Sequence, residues 1–503
     1  MKKIKWIDEN LFSLELEFNQ EISIKLKKYY TNSYHISNPV LSRNIGTSRF
    51  FEYFCSYRFD KTMPKQLSIF SKIKKLSVYY IKSIIQFILI LCNLIVYKTS
   101  YKKRKKDLRK DKIVLIDTFT MIDRIYPNGY KDNYYGDLIN ILKDKKNNFA
   151  ILAILFGDKP YNLRRRYETY KLLNKEQEYF LSEFEFLKFA DYIQLFIFMM
   201  KYPLYHLSTK ESKNSDIEII YNICIDETLD LVQINNYIRY LYGKRLGEYF
   251  DDIKLITWDE NQVIHKLLNK GLRDTAKSIY IYGTKFYGIL FSWIHVKNLK
   301  IEKDLNISPD ITIVKGKYYE SIFNEIKVCT GWAPREQYLH AFVSKNVELN
   351  NLGILLGYDI EENARIIDYI QSIDIKKFDN IIIRLHPNHK LNTPFDIPNK
   401  WTIDEGTLVE FSDTCNTIVS VGTGAALEMM LMNNFIALLG GKIKATATSL
   451  PNEYKHANWD IFYSKDDLEI ILDKQYENSM KKINLDDFFQ KSTDKQIIKS
   501  LGL

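Results

Sequence analysis

Cysteine is scarce and scattered, with Cys55, Cys92, Cys224, Cys329 and Cys415 spread over 503 residues. The number is odd and none stands in a metal-type pair, so a reducing cytosol is the expected compartment. His-x-x-x-His, His-Glu-x-x-His and Cys-x-x-Cys spacings are missing, which leaves no expected metal site. A dinucleotide fingerprint, a Walker phosphate loop and a serine nucleophile elbow are missing too. No repeat of solenoid period occurs, and no low-complexity stretch beyond one basic run. That run, Lys98 to Lys110, is too short and too close to an apolar helix for a nucleic-acid face, so no nucleic-acid partner is expected. No signal peptide is expected either, because acids interrupt the apolar part of "MKKIKWIDENLFSLELEF".

What is present suits a large globular chain. The length predicts two domains and an appendage. A 46% hydrophobic content and 36 tyrosines supply packed cores and exclude general disorder. The net charge of +10 suits an anionic partner, whether membrane surface, nucleotide or acidic glycan, and selects none of them. Within an N-terminal region of residues 1–110, "SIIQFILILCNLIVY" (Ser83 to Tyr97) is followed by "KTSYKKRKKDLRK". As a helix the apolar run spans about 22 Å, short of the roughly 30 Å hydrocarbon core. Both flanks are basic, and extension back to Val78 brings in Lys82. The expectation is a helix lying in the cytoplasmic face of the membrane, held by lysines against anionic lipid. A buried domain helix and a transmembrane anchor are the alternatives.

From Lys112 strands and helices alternate: "KIVLIDTF", "YYGDLINILKD", "FAILAILFGDKP", then "DIKLITWDENQVIHKLLNKGLRD" and "SIYIYGTKFYG". Asp191 to Leu207, apolar around most of its circumference, reads as a core helix or a second membrane-facing one. A second series, "IKVCTG", "LGILLG", "NIIIRLHP", "NTIVSVGTGAALEMMLMN" and "FIALLGG", follows a linker-like stretch near 305. The fold class is therefore α/β, with two doubly wound parallel-sheet domains across a cleft: 111–304, 305–480, and a C-terminal helix in 481–503. Ligands in such sheets sit beyond the carboxyl ends of the strands.

Two strand ends carry the chemistry. Ile381-Ile382-Ile383 suits a central parallel strand, and Pro387 ends it, leaving His386 at the carboxyl edge two residues after Arg384. An imidazole there can donate to a phosphate oxygen as charge builds on a leaving group. Some 35 residues on, a strand breaks into Gly422-Thr423-Gly424 at a helix start, where free N–H groups favour an anion and Glu428, one turn in, can accept from ribose hydroxyls. Each feature alone is also explained by ordinary capping or a packing turn; together they predict a nucleotide-phosphate site.

The order "RLHP", "DEG" (Asp404 to Gly406), "SVGTGAALEMM" resembles the second domain of bacterial surface-polysaccharide glycosyltransferases of the GT-B fold. It is similar in particular to the His-Pro and Ser/Thr motifs of sialyl-, polysialyl- and Kdo-transferases, and of polyglycerolphosphate transferases. The resemblance covers about Lys112 to Lys474. It implies capsule or lipopolysaccharide synthesis from a nucleotide-activated sugar, a CMP-linked donor among the candidates, with no ion or other cofactor. Arg384, His386, Pro387, Gly422, Thr423, Gly424 and Glu428 would hold the donor.

The first domain should supply acceptor chemistry. Glu260 in "TWDEN", just past a strand, is the preferred general base, provided its environment sets a suitable pKa. Asp117 is the runner-up, and simple helix capping by Asp259 and Glu260 the plain alternative. Asp123, Asp132 and Asn261 would contact the acceptor, a glycan or lipid-linked glycan. A transferase of polyol phosphate from a CDP donor, a sugar-nucleotide epimerase and a non-catalytic assembly factor of the same fold are the rival readings.

Overall fold

A computed structural model describes residues 61–503 except 64, 66, 103–107, 122–124, 127–128, 131, 133, 157–161, most of 209–230, 286–298, 323–325, 332, 343–349, 387–395, 442–447 and 475–479. Before 61 it describes only 17, 20, 23–24, 36–39, 42, 53–54 and 56–58. The chain divides into two compact units. The first comprises Phe18–Phe286, Lys297–Arg335 and Ser492–Leu503, and the second is built around Glu336–Lys491.

The first unit holds strands β1 (Ile113–Met121), β4 (Phe149–Phe156), β5 (Phe180–Leu181), β6 (Asp252–Trp258), β7 (Ser278–Thr284), β8 (Ile311–Val314) and β9 (Val328–Thr330), with a small β2–β3 hairpin (Ile125–Tyr126, Gly129–Tyr130). The seven pair in the order β5-β4-β1-β6-β7-β8-β9, all parallel. Burial on both faces explains the unbroken apolar run of β1: Val114 and Ile116 enter one core while Ile113 and Leu115 enter the other. Each such side chain contributes about 1.5–3 kcal/mol by leaving water.

Helix α1 (Ile69–Ser100) starts at Ser68, whose side chain accepts from Ser71 N–H at 3.2 Å. It is longer than the apolar run alone suggested, and Tyr79, Ser83, Ile90, Asn93 and Tyr97 are buried along it. Three further helices matter to the site: α2 (Phe189–Ser208), α3 (Val232–Tyr249) and α4 (Val263–Arg273). The last two touch backbone to backbone at a glycine pair. A Cβ on Gly243 would lie 2.5 Å from the Leu268 carbonyl oxygen, and one on Gly271 would lie 2.2 Å from that of Tyr240. Any side chain there would push the helices apart.

The second unit carries β10 (Leu352–Leu355), β11 (Ile381–Arg384), β12 (Thr402–Ile403), β13 (Thr417–Ser420), β14 (Phe435–Leu439) and β15 (Trp459–Phe462). They form a parallel sheet in the order β12-β11-β10-β13-β14-β15. Its main helices are α5 (Ile360–Gln371), α6 (Leu408–Thr414), α7 (Gly424–Leu431) and α8 (Lys465–Asp473). Asp359 caps α5, and Thr407–Glu410 and Ser464–Asp467 make reciprocal capping boxes on α6 and α8.

The α/β class with two doubly wound parallel sheets is thus observed, but the expected boundary near 305 is not. "ITIV" and "VCT" pair with β7 and with each other, so β8 and β9 finish the first sheet. The last helix, α9 (Asp494–Leu501), returns to the first unit, where Ile497 and Leu501 are buried with Tyr282, Ile311 and Ile313. The reason is packing: β8 is buried throughout and needs that cover.

Candidate functional site

In each sheet the chain reverses its direction of strand addition once, and in doubly wound sheets ligands bind beyond the carboxyl edge at such a point. In the first sheet that point lies between β1 and β6, and in the second between β10 and β13. Both groups of residues singled out from the sequence fall there.

At the first switch point Ile116 faces Ile256, and the next residues are Asp117 and Thr257. Asp117 is 0% exposed and fully engaged. Its Oδ1 accepts from Arg239 of α3 at 2.5 Å, and its Oδ2 accepts from Thr257 Oγ1 at 2.9 Å and lies 2.7 Å from His265 Nδ1 of α4. Burial alone would raise its pKa, but the Arg239 and His265 charges and hydrogen bonds outweigh burial and hold it down to about 2. A carboxylate so depressed adds stability above its ordinary value near 4, lost as the pH falls toward 2. The glycine contact of α3 with α4 is what lets Arg239 and His265 reach one carboxylate.

His265 is 2% exposed, and its ring stacks 6.2 Å from Trp258 and meets Phe119 edge-on at 5.7 Å. Its Nε2 is buried with no hydrogen-bond partner among the described residues. Sequence reading passed over His265 and Arg239. The acid they meet is more than 120 residues away in the chain, so no local pattern joins them.

Glu260 and Asn261 follow β6 and are buried, with Asn261 in the left-handed region at φ 59°. Asp259 reaches toward the neighbouring strands. It accepts from Thr312 Oγ1 at 2.6 Å and pairs with Lys285 at 3.4 Å, tying β6 to β7 and β8. Asp132, expected in an acceptor loop, is 4% exposed and accepts from Thr118 Oγ1, Tyr130 Oη and the Tyr134 and Tyr135 N–H groups at 2.7–2.9 Å. Four bonds account for a carboxylate, so it fastens the turn after the hairpin. Asp123 lies outside the described residues.

At the second switch point Leu355 pairs with both Arg384 and Ser420, which sets the ends of β10, β11 and β13 side by side. Asn363 bonds both the N–H and the carbonyl of Gly357, at 2.9 and 2.8 Å, fixing the turn beyond β10. His386 stands beside it, edge-on to Tyr358 at 5.8 Å. Beyond β13, Thr423 is the N-cap of α7 in extended conformation, yet its side chain makes no capping bond. The first N–H groups of α7 therefore have no side-chain acceptor from their own cap. A Cβ placed on Gly424 would meet nothing within 4 Å.

Arg384 departs from expectation. Its guanidinium pairs with Asp404 and donates to the carbonyls of Gly406 at 2.9 Å and Thr407 at 3.3 Å. Arg384 thus organises the "DEG" turn that leads into α6. Glu428 accepts from Tyr338 Oη, and Pro387 lies outside the described residues. Among the described residues no group of His, Cys, Asp or Glu is placed to hold a metal ion.

No family model and no curated protein matches the chain. Solved structures similar to it include the UDP-GlcNAc 2-epimerase of Neisseria meningitidis bound to UDP-GlcNAc (11% identity, 78% of this chain and 99% of that one, TM-score 0.43). They also include MurG of Acinetobacter baumannii (10% identity, 72% and 90%, TM-score 0.34) and the glycosyltransferase SnogD of Streptomyces nogalater (8% identity, 78% and 95%, TM-score 0.32). At these scores the likeness bears on neither substrate nor reaction.

Proposed function

We propose that the chain is a GT-B-type glycosyltransferase that takes a sugar from a nucleotide-activated donor, at the cytoplasmic face of a membrane, for a surface-polysaccharide or lipid-linked glycan acceptor. The observation that carries this reading is positional. His386 and the Gly422-Thr423-Gly424 turn border the switch point of one doubly wound sheet, while Asp117, Glu260 and His265 border that of the other. The uncapped start of α7 and the open space at Gly424 suit a phosphate, which backbone N–H groups bind without needing a counter-charge. His386 supplies a donor for the departing phosphate. Arg384 serves at one remove, by shaping the adjacent turn.

In the first unit His265 is one of several buried groups, among the described residues, with a polar atom to spare, and it alone of these lies against Asp117 with a basic ring nitrogen. Asp117, ion-paired and depressed, accepts from Nδ1–H of the neutral ring, which leaves Nε2 to take a proton from an acceptor hydroxyl, and it stabilises the charged ring that results. Asp117 is then the positioning residue, and Glu260 remains the second candidate for the base.

The test is a thermal-shift screen with CMP, CDP, UDP, GDP and their sugars. A ligand at 100 times its dissociation constant adds about 2.7 kcal/mol of stability. The reading expects one nucleotide series to stabilise the wild type, and His386→Ala to lose that response while melting normally. If no nucleotide stabilises the wild type, or His386→Ala responds fully, the donor site is wrongly placed. Conversion of the donor sugar without any acceptor would instead favour the epimerase.

A further inference from the structure

Helix α1 turns two different apolar faces outward from its axis. Tyr79, Ile90 and Tyr97 enter the core of the first unit, while Ile73, Ile81, Ile84, Ile85, Ile88 and Ile95 are exposed. At 3.6 residues per turn the exposed set covers about 120° of the helix opposite the buried set. Helix α2 repeats the pattern. Leu195, Phe198, Met199 and Tyr202 are buried, and Phe189 (81% exposed), Ile193, Phe196, Ile197 and Leu204 are open.

The two helices lie side by side. Tyr79 and Tyr80 donate to the carbonyls of Met199 and Met200, each at 3.2 Å, and the Phe87 and Phe196 rings are 5.4 Å apart. Phe196 is exposed and Phe87 half-buried, so this ring pair carries the apolar surface across the seam from one helix to the other. Two-helix faces of this extent are not left in water by soluble monomers.

Charge says what covers the face. Helix α1 contains no acid, and Lys74, Lys82 and Lys98 on it and Lys201 on α2 are exposed with no ion-pair partner among the described residues. The acid of α2, Asp191, is buried against Arg245 at 2.8 Å. A second copy of the same face would set these lysines against one another. An anionic bilayer surface supplies acyl chains for the isoleucines and phosphates for the lysines, whose stems reach outward along the helix.

We infer that α1 and α2 together form one membrane-seating platform that lies in the plane of an anionic bilayer. The helix α1 does not span the bilayer, because one side of it is core for most of its length. This deepens the membrane location proposed above and is independent of the donor site.

The experiment floats full-length protein with vesicles of phosphatidylcholine alone or mixed with phosphatidylglycerol. Wild type should partition onto the mixed vesicles, less so at high salt, and be released by alkaline carbonate. Ile193→Glu with Ile197→Glu, both on the exposed side of α2, should lower partition about tenfold or more although α1 is untouched. The milder pair Ile193→Gln and Ile197→Gln should act in the same direction, which guards against misfolding of the first pair. Flotation of both α2 variants at the wild-type level overturns the shared platform. Resistance to carbonate shows a spanning helix instead, and a dimer that the α2 variants dissociate assigns the face to a second copy. The nucleotide thermal shift should be unchanged in all variants, so failure here is distinct from failure of the donor site.

Discussion

A neutral imidazole has one donor and one acceptor nitrogen, and at His265 the first is committed to a carboxylate that Arg239 and Thr257 also hold. The tautomer is thereby set, with the lone pair on Nε2. Glu260, by contrast, is a buried carboxylate just past the strand that carries Thr257. The two are separable by substitution. His265→Gln can still donate an amide hydrogen toward Asp117 but cannot accept a proton, so turnover should fall about 10²- to 10⁴-fold with nucleotide affinity unchanged. Glu260→Gln should leave turnover within a few-fold if His265 is the base, and reproduce the larger loss if it is not. Single-turnover rates and the nucleotide-induced melting shift, taken on the same preparations, decide between them. A normal rate in His265→Gln would make the Asp117–Arg239–His265 cluster purely structural. Asp117→Asn is a poorer probe, because it leaves Arg239 charged and unpaired in the interior at a cost of roughly 3–5 kcal/mol.

The turn from β13 into α7 was readable from the sequence because everything that shapes it is local. Ile418, Val419 and Val421 mark a buried strand, two glycines flank a threonine, and a helix-forming run follows. The end of β11 was readable for the same reason. What sequence could not supply was long-range pairing: Arg384 meets Asp404, Asp132 gathers four donors, and β8 and β9 join the first sheet. A parallel strand reads the same whichever sheet it enters, so only the cover given by α9 decides. At this scale Gly424 offers a clean test. It opens α7 with room for a Cβ, so the fold gives no reason for glycine, and alanine at a helix start should keep or slightly raise the melting temperature. If the backbone there approaches a phosphate, the added methyl occupies the ligand's space. Gly424→Ala should then weaken nucleotide binding about tenfold or more in a titration while remaining fully folded. Unchanged affinity would move the phosphate away from α7.

For the molecule as a whole, the division of the chain makes a prediction about which pieces fold. Glu336–Lys491 holds all six strands of the second sheet and their own buried cluster, from Leu352 through Ile383 and Val419 to Phe462. Its ends are tied together: Gln337 donates to the Gln490 carbonyl at 3.1 Å, and His340 Nε2 lies 2.8 Å from the carbonyl of Phe489, whose neighbour Phe488 is buried. A fragment of 336–491 should therefore unfold in one cooperative transition and retain the nucleotide response of the full chain, since the switch point between β10 and β13 lies wholly within it. The fragment 305–480, cut where composition alone suggested, fails at both ends. It keeps β8, whose Ile313 and Val314 are buried by β7, β9 and α9 in the intact chain, and it loses the segment that closes the start of the unit. An apolar strand stripped of its sheet is an open edge, so this fragment should aggregate or melt without cooperativity. Far-ultraviolet melting and size-exclusion profiles of the two fragments, expressed side by side, separate the cases. Equal behaviour would mean that β8 and β9 contribute little to the first sheet. A folded 336–491 that ignores every nucleotide stabilising the full chain would mean that the donor needs residues outside the second unit.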